Sequence, residues 1–154
     1  MNINILSSLR TLANRVLNHN YVDLGLPSGT LWAASNAHLD ECQFCTHKEA
    51  VEEFGDKLPS DEAWLELLVN CRAKWNKWRK GYTITGPNGN SIFLPANGIE
   101  GILNKGFTGW YWSSTEIIQG KGEMITFDID NKPRFPLVTA KENTCCSVRL
   151  IRKP

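Results

Sequence analysis

Residues 21–33 read YVDLGLPSGTLWA, a stretch with the pattern of two strands joined by a turn. Apolar and polar side chains alternate over residues 21–26, which is the pattern of a strand with one buried face. The Pro-Ser-Gly of residues 27–29 favours a turn, and residues 30–35 then have the composition of a second strand. The two segments are therefore predicted to pair as an antiparallel hairpin.

Two helices are predicted to follow this hairpin. The first begins at Thr46, which has the spacing of a capping box with Glu49, and it ends at Gly55. The second begins after Ser60, keeps apolar residues at helical spacing as far as Trp78, and ends at Gly81.

The second predicted helix is basic in its C-terminal half. The helix dipole stabilises cations at that end, so this charge is interpreted as dipole compensation rather than as a DNA-reading surface. The basic residues are Arg72, Lys74, Lys77, Arg79 and Lys80.

Strands and loops are predicted after Gly81, because the sequence has no helical period there. Residues 82–85 and 92–94 flank the sequence GPNGN, whose Asn-Gly pair accepts the positive φ angles of a tight hairpin. Further strands are expected at residues 110–114, 124–129 and 147–152.

Length and composition indicate one globular domain. The chain has 154 residues, within the usual range for a single domain, and 42% of them are hydrophobic. Its 17 basic and 16 acidic residues give a net charge of +1, which argues against a nucleic-acid partner. No apolar run is long enough to span a bilayer, so no membrane insertion is predicted.

The N-terminal segment, residues 1–20, is predicted to be an amphipathic helix separate from a domain over residues 21–154. Its apolar side chains are spaced four, three and four residues apart, so they line one helix face. The helix either packs on its own domain or docks on a partner or on another copy, a trimer being one such arrangement. The segment has no basic start or cleavage site typical of a signal peptide. The predicted docking residues are Ile5, Leu9, Leu12 and Val16.

The cysteines are interpreted as ordinary reduced thiols, because the sequence has no secretion leader. Cys42 and Cys45, flanked by His38 and His47, have the spacing of half a zinc site and are weak metal candidates. A second Cys-x-x-Cys is absent, although Cys145 and Cys146 could supply ligands from a distant part of the chain, and no metal or cofactor is predicted. The five cysteines are Cys42, Cys45, Cys71, Cys145 and Cys146.

The order of five motifs resembles the Fibrobacter succinogenes major paralogous domain, a family of Bacteroidetes. Residues 21–33 are similar to its opening VDLGLPSGTLWA, and residues 58–64 to its LPTxxEW helix entry. Residues 86–96 are similar to its GPNGNSIFLPAAG hairpin. Residues 110–115 are similar to its YYWSST, and residues 147–151 to its terminal SVRPV strand.

This resemblance implies an α+β domain with a C-type-lectin-like fold: two helices and a twisted antiparallel sheet whose first and last strands pair. It also implies that Trp32, Trp64, Trp110 and Trp112 belong to the core rather than to a sugar platform. The Glu-Pro-Asn or Gln-Pro-Asp loop and the Trp-Asn-Asp strand that bind calcium in classical C-type lectins are missing from the sequence. No calcium site is therefore predicted.

The resemblance implies a ligand face in the loops of the second half, here residues 115–122 and 131–144. These loops bind a ligand, form a subunit interface, or are merely solvated. The candidate ligand-binding residues are Glu116, Asn131, Arg134, Phe135, Lys141 and Asn143.

The function predicted is non-enzymatic binding and display, because the sequence contains none of the usual catalytic motifs. A binding domain with a docking helix and no leader is expected in a bacteriophage virion, on a capsid, fibre or tail. There the helix would dock on other virion proteins, and the loops would face a host glycan or protein. One alternative is a bacterial cell-surface or periplasmic adhesin or carbohydrate-binding module. A second is an enzyme like the formylglycine-generating enzymes, although no cysteine motif of that branch is matched.

Overall fold

Two short helices and three small antiparallel sheets form the part of the chain that the computed structural model describes. The described residues are 20–99, 105–118, 121–136, 140 and 143–154. The α+β class is thus confirmed, with three sheets in place of one. The predicted N-terminal helix falls on residues 1–19, outside the described residues.

The first sheet brings distant parts of the chain together. Its strands are β1 (Tyr21–Val22), β2 (Leu31–Ala33) and β8 (Ile151–Arg152). β1 pairs with β2, so the hairpin predicted from the opening stretch is confirmed with shorter strands. β8 pairs with β2 rather than with β1, so the last strand meets the second strand and not the first.

Helix α1 (His47–Phe54) has the predicted ends. The Thr46 hydroxyl accepts a hydrogen bond from the backbone N–H of Glu49 at 3.2 Å, and the Glu49 carboxylate accepts one from the N–H of Thr46 at 3.0 Å. Gly55 follows the helix with φ of 52°, a conformation that glycine adopts at little cost. The capping box and the glycine stop are therefore confirmed.

Helix α2 (Asp61–Asn70) starts as predicted at Ser60, whose hydroxyl caps the N–H of Ala63. The prediction that it continues to Trp78 is wrong, because it ends at Asn70 and strand β3 (Arg72–Asn76) follows. Apolar positions in this stretch satisfy both a helical and an alternating pattern, and pairing with the next strand decides between them. With no helix there, dipole compensation does not explain the basic residues.

The second sheet contains β3, β4 (Gly81–Thr85) and β5 (Ser91–Pro95) in that order. The hairpin predicted around GPNGN is confirmed by the pairing of β4 with β5. Side-chain amides of Asn88 and Asn90 donate to the carbonyl oxygen of Asp23 at 2.8 and 2.9 Å. These bonds attach the hairpin turn to the loop between β1 and β2.

The third sheet is a long hairpin of β6 (Thr108–Ile118) and β7 (Lys121–Asp128). Both strands exceed their predicted length toward the connecting turn, and Glu116 pairs with Gly122 across a bulged register. Residues 115–118 are therefore strand rather than loop. The segment predicted as a strand at residues 147–152 is reduced to isolated bridges followed by β8.

Tryptophans organise the core. Trp32, Trp64 and Trp112 are fully buried, and Trp110 is half-buried against a cluster that includes Trp112. The Trp32 and Trp64 rings lie 4.7 Å apart, and the Trp64 indole N–H donates to the backbone oxygen of Trp112 at 3.2 Å. The interpretation as core residues is confirmed for Trp32, Trp64 and Trp112, whereas Trp110 lies at the edge of the core.

Candidate functional site

A cavity of about 720 Å³ lies between the end of α2, strands β3 and β4, and the segment after β7. All of the charged residues among its described lining residues are basic, and most of the others are apolar. Such a lining suits an anionic group attached to an apolar or sugar-like body. The lining residues are Leu67, Leu68, Cys71, Arg72, Ala73, Lys74, Ile84, Thr85, Lys132 and Pro133.

The turn after β7 brings two of the predicted site residues, Asn131 and Arg134, beside this cavity. One carboxylate oxygen of Asp128 accepts hydrogen bonds from the backbone N–H groups of Asp130 and Asn131, both at 2.8 Å. The Asn131 amide donates to the same carboxylate at 2.9 and 3.0 Å. Arg134 pairs through its backbone with Thr126, at 3.0 and 2.9 Å, and is exposed. The turn is therefore held by defined hydrogen bonds.

The structure changes the expected roles of Asn131 and Phe135. The side-chain amide of Asn131 is engaged with Asp128, so it acts within the turn. Phe135, predicted as a stacking surface, is half-buried and packs against the core cluster of Trp32 and Trp64.

Burial acts to raise the pKa of Asp128, but hydrogen bonds from Asn131 and the turn backbone outweigh it and hold the pKa below its usual value.

The other predicted ligand residues lie elsewhere. Glu116 pairs with Gly122, whereas the turn begins at Asp128 at the opposite end of the hairpin. Gly122 and Asp128 are six residues apart along β7, a distance of about 20 Å. Asn143 is exposed, and its carbonyl oxygen accepts from the Cys145 thiol at 3.8 Å. Lys141 lies outside the described residues.

Sequence reasoning missed Arg72, Lys74 and Lys132 as lining residues. The helical spacing predicts a helix over Arg72 and Lys74, although the alternation in RAKWN at residues 72–76 is also a strand pattern. Lys132 lies between two predicted site residues, and nothing in its local sequence distinguishes it from a solvated lysine.

The segments that contain Cys45 and Cys146 meet, but they do not form the candidate zinc site. Cys45 and Cys146 are buried and pair through their backbones, while Cys42 is exposed. The His47 ring is directed elsewhere, with Nε2 2.8 Å from the backbone oxygen of Ser113. Within the described residues, no group of three or more His, Cys, Asp or Glu is placed to hold a metal ion.

Burial also keeps these thiols in their protonated form. It raises the pKa of Cys45 to about 12 and that of Cys71 to about 11, with smaller contributions from nearby Glu49 and Glu66, respectively. Burial likewise raises the pKa of Cys146 well above its usual value. Since the thiolate is the nucleophile and the metal ligand, these side chains behave as small packing residues near neutral pH.

A buried arginine organises the region between the sheets. Arg149 is 1% exposed, and its guanidinium donates to Asn36 Oδ1 at 2.8 and 2.6 Å. It also donates to the backbone oxygens of Ala33 at 3.0 Å and Phe93 at 2.6 Å. Burial lowers the pKa of Arg149 to about 10, which still leaves it charged at neutral pH.

Tyr111 completes this network. Its hydroxyl donates to the backbone oxygen of Pro95 at 2.7 Å and accepts from the Asn36 amide at 3.1 Å. Burial raises the pKa of Tyr111 to about 12. Neither Tyr111 nor Arg149 can exchange a proton readily near pH 7, so the network is a scaffold rather than an acid–base centre.

Comparisons with protein-family models, curated proteins and solved structures found no match for this chain. In the described part of the chain, no helix combines the length and apolar character needed to cross a bilayer. The turn and the cavity are therefore the features on which a function can be proposed.

Proposed function

We propose that the chain is a non-enzymatic binding and display module of C-type-lectin-like fold, akin to the Fibrobacter succinogenes major paralogous domain. The order of the five motifs supports this proposal. The two helices and the tryptophan core are compatible with it, whereas the last strand, β8, pairs with β2 and not with the first strand as the resemblance implies.

The observation that carries the binding role is the ordered turn from Asp128 to Arg134 beside the cavity. A turn fixed by its own hydrogen bonds loses little conformational freedom when a ligand binds, which favours affinity. Arg134 is exposed at this turn, and Lys132 lines the cavity. The ligand proposed is a glycan or protein of a host cell.

A glycan array tests the binding role. We expect the full chain to bind a subset of glycans and Arg134→Ala to bind them about tenfold more weakly, since a hydrogen bond from a charged donor is worth about 1.5–3 kcal/mol. Asn143→Ala tests the separate loop near Cys145. Lys48→Ala, at an exposed lysine of α1, is the control and should bind like the parent. Equal binding by Arg134→Ala and the parent would remove Arg134 from the site, and no binding to any glycan would count against this ligand class.

The setting proposed is a phage virion, in which the segment over residues 1–20 docks the domain on a partner or on other copies. Its apolar positions Ile5, Leu9, Leu12 and Val16 would form the docking face. The segment leads into β1, so it would leave the domain at the first sheet.

Light scattering tests whether this docking face joins copies of the chain. We expect the full chain to be an oligomer and the double variant Leu9→Asp, Leu12→Asp to be a monomer, because two carboxylates would be buried in the contact. The control variant Ser7→Asp, Asn14→Asp adds the same charge to the other helix face and should stay oligomeric. An identical mass for the two variants would contradict self-association through this face.

A further inference from the structure

Charge is distributed very unevenly along this nearly neutral chain. Residues 71–99 contain five of the 17 basic residues and none of the 16 acidic ones, so the rest of the chain is net negative. In the structure this stretch contains β3, β4 and β5, the whole of the second sheet. The basic residues are Arg72, Lys74, Lys77, Arg79 and Lys80.

The second sheet has one core face and one solvent face. Ala73, Trp75 and Ile84 pack with the core cluster of Trp32 and Trp64. Because strand side chains alternate, Arg72 and Lys74 lie on the opposite face, and both are exposed. Their partners in β4 are Thr85 and Thr83, so hydroxyl groups lie next to the cations.

The turn between β3 and β4 presents an exposed tryptophan. The Asn76 side chain accepts hydrogen bonds from the backbone N–H groups of Trp78 at 3.1 Å and Arg79 at 2.9 Å, which fixes the turn. Trp78 is 84% exposed, although tryptophan is usually largely buried. Lys77 Nζ lies 5.2 Å from its ring centroid, and the Arg79 guanidinium lies 3.8 Å from that of Phe93.

We propose that this surface, called here the basic face and defined by Arg72, Lys74, Lys77, Trp78 and Arg79, binds an acidic polysaccharide. The cations pair with carboxylate or sulfate groups, and the open indole ring packs on the C–H face of a sugar ring. Thr83 and Thr85 supply hydroxyls for hydrogen bonds to the sugar. Arg72 and Lys74 also line the cavity. The inference therefore rests on the proposed binding function, and it specifies the chemical class of the ligand.

The aromatic content of the basic face favours a polysaccharide over a nucleic acid. Single strands are bound by several aromatic rings on which successive bases stack. Among the described residues of this sheet, Trp78 is the one largely exposed aromatic side chain, since Phe93 is half-buried beneath Arg79.

The neighbours of Trp78 favour a polysaccharide over a lipid surface. Membrane-docking surfaces bury several apolar side chains at the headgroup level. Here the other four residues of the basic face are cations, so Trp78 is its one apolar side chain.

Binding of the full chain to polygalacturonate and to heparin tests the proposal, with neutral dextran as the reference polymer. We expect the chain to bind one of the two acidic polymers. This binding should weaken as the salt concentration increases, because salt screens ionic contacts. Arg72→Glu, Lys74→Glu should bind at least about tenfold more weakly. Trp78→Ala should bind about fivefold more weakly at unchanged stability, since its side chain is exposed.

The matched control is Lys48→Glu, Lys57→Glu, which makes the same change in net charge at two exposed lysines, one in α1 and one three residues after its end. It should bind like the parent, whereas an equal loss in both double variants would show a non-specific charge effect and overturn the proposal. Tighter binding to a single-stranded oligonucleotide or to anionic phosphatidylserine vesicles than to either acidic polymer would also overturn it. If neither acidic polymer binds while a neutral glycan binds in an Arg134-dependent way, this inference fails and the proposed function stands.

Discussion

Replacing Arg149 with methionine is expected to lower the free energy of unfolding by about 3–5 kcal/mol. The substitution removes the donors that satisfy Asn36 Oδ1 and the backbone oxygens of Ala33 and Phe93. Methionine would also remove the cost of burying a charge, and this gain offsets part of the loss. The loss is larger, because the acceptors left without a donor lie on two separate segments, residues 33–36 and strand β5, and methionine cannot hydrogen-bond to either.

Urea denaturation followed by tryptophan fluorescence measures this effect. The control is Arg152→Met, which changes an exposed arginine three residues away whose main contact is with the Tyr21 ring at 5.2 Å. It should cost less than about 1 kcal/mol. Arg149→Lys keeps the charge but loses the planar fork of donors, so it should fall between the two. A methionine variant as stable as the parent would show that the network contributes no net stability.

Replacing Trp64 with alanine is expected to cost about 3–5 kcal/mol. The ring is fully buried, lies 4.7 Å from Trp32 and 6.1 Å from Tyr111, and donates a hydrogen bond to the backbone oxygen of Trp112. Alanine would leave a cavity at the junction of α2, β2 and β6 and would orphan that carbonyl group. The loss is large enough to unfold a marginally stable domain.

The matched control is Leu65→Ala, the next residue of the same helix, whose side chain is 53% exposed. It should cost less than about 1 kcal/mol, because little apolar area returns to water. If Trp64→Ala does not fold, Trp64→Phe gives a measurable variant, which should be less stable than the parent and lack the bond to Trp112. Equal stability of the two alanine variants would contradict the assigned role of Trp64.

Local features of this fold were predictable from the sequence. The capping box of Thr46 and Glu49 and the turn of the β4–β5 hairpin depend on a few adjacent residues, and both are present as predicted. The boundary between α2 and β3 was not predictable in this way. There the apolar residues suit both a helical and a strand pattern. In the strand, Trp75 packs against Tyr82 of β4, with ring centroids 5.3 Å apart.

The candidate site was predictable only in part, because its residues depend on long-range contacts. The turn near Asn131 and Arg134 was located correctly in the sequence, but the engagement of the Asn131 amide with Asp128 was not foreseen. Glu116 was placed in a loop, yet a bulged register extends β6 through it. Arg149 and Asn36 are 113 residues apart, a separation that no periodicity in the sequence reveals.

The pairing of Trp32 in β2 with Ile151 in β8 has a consequence for the order of folding. Bringing two such distant segments together is entropically expensive, whereas the β4–β5 and β6–β7 hairpins close short loops. We therefore expect the hairpins to form early and the β2–β8 contact to form late. Until that contact forms, the oxygens that receive Arg149 are hydrated, so the charged guanidinium enters the protein interior in one of the last steps of folding.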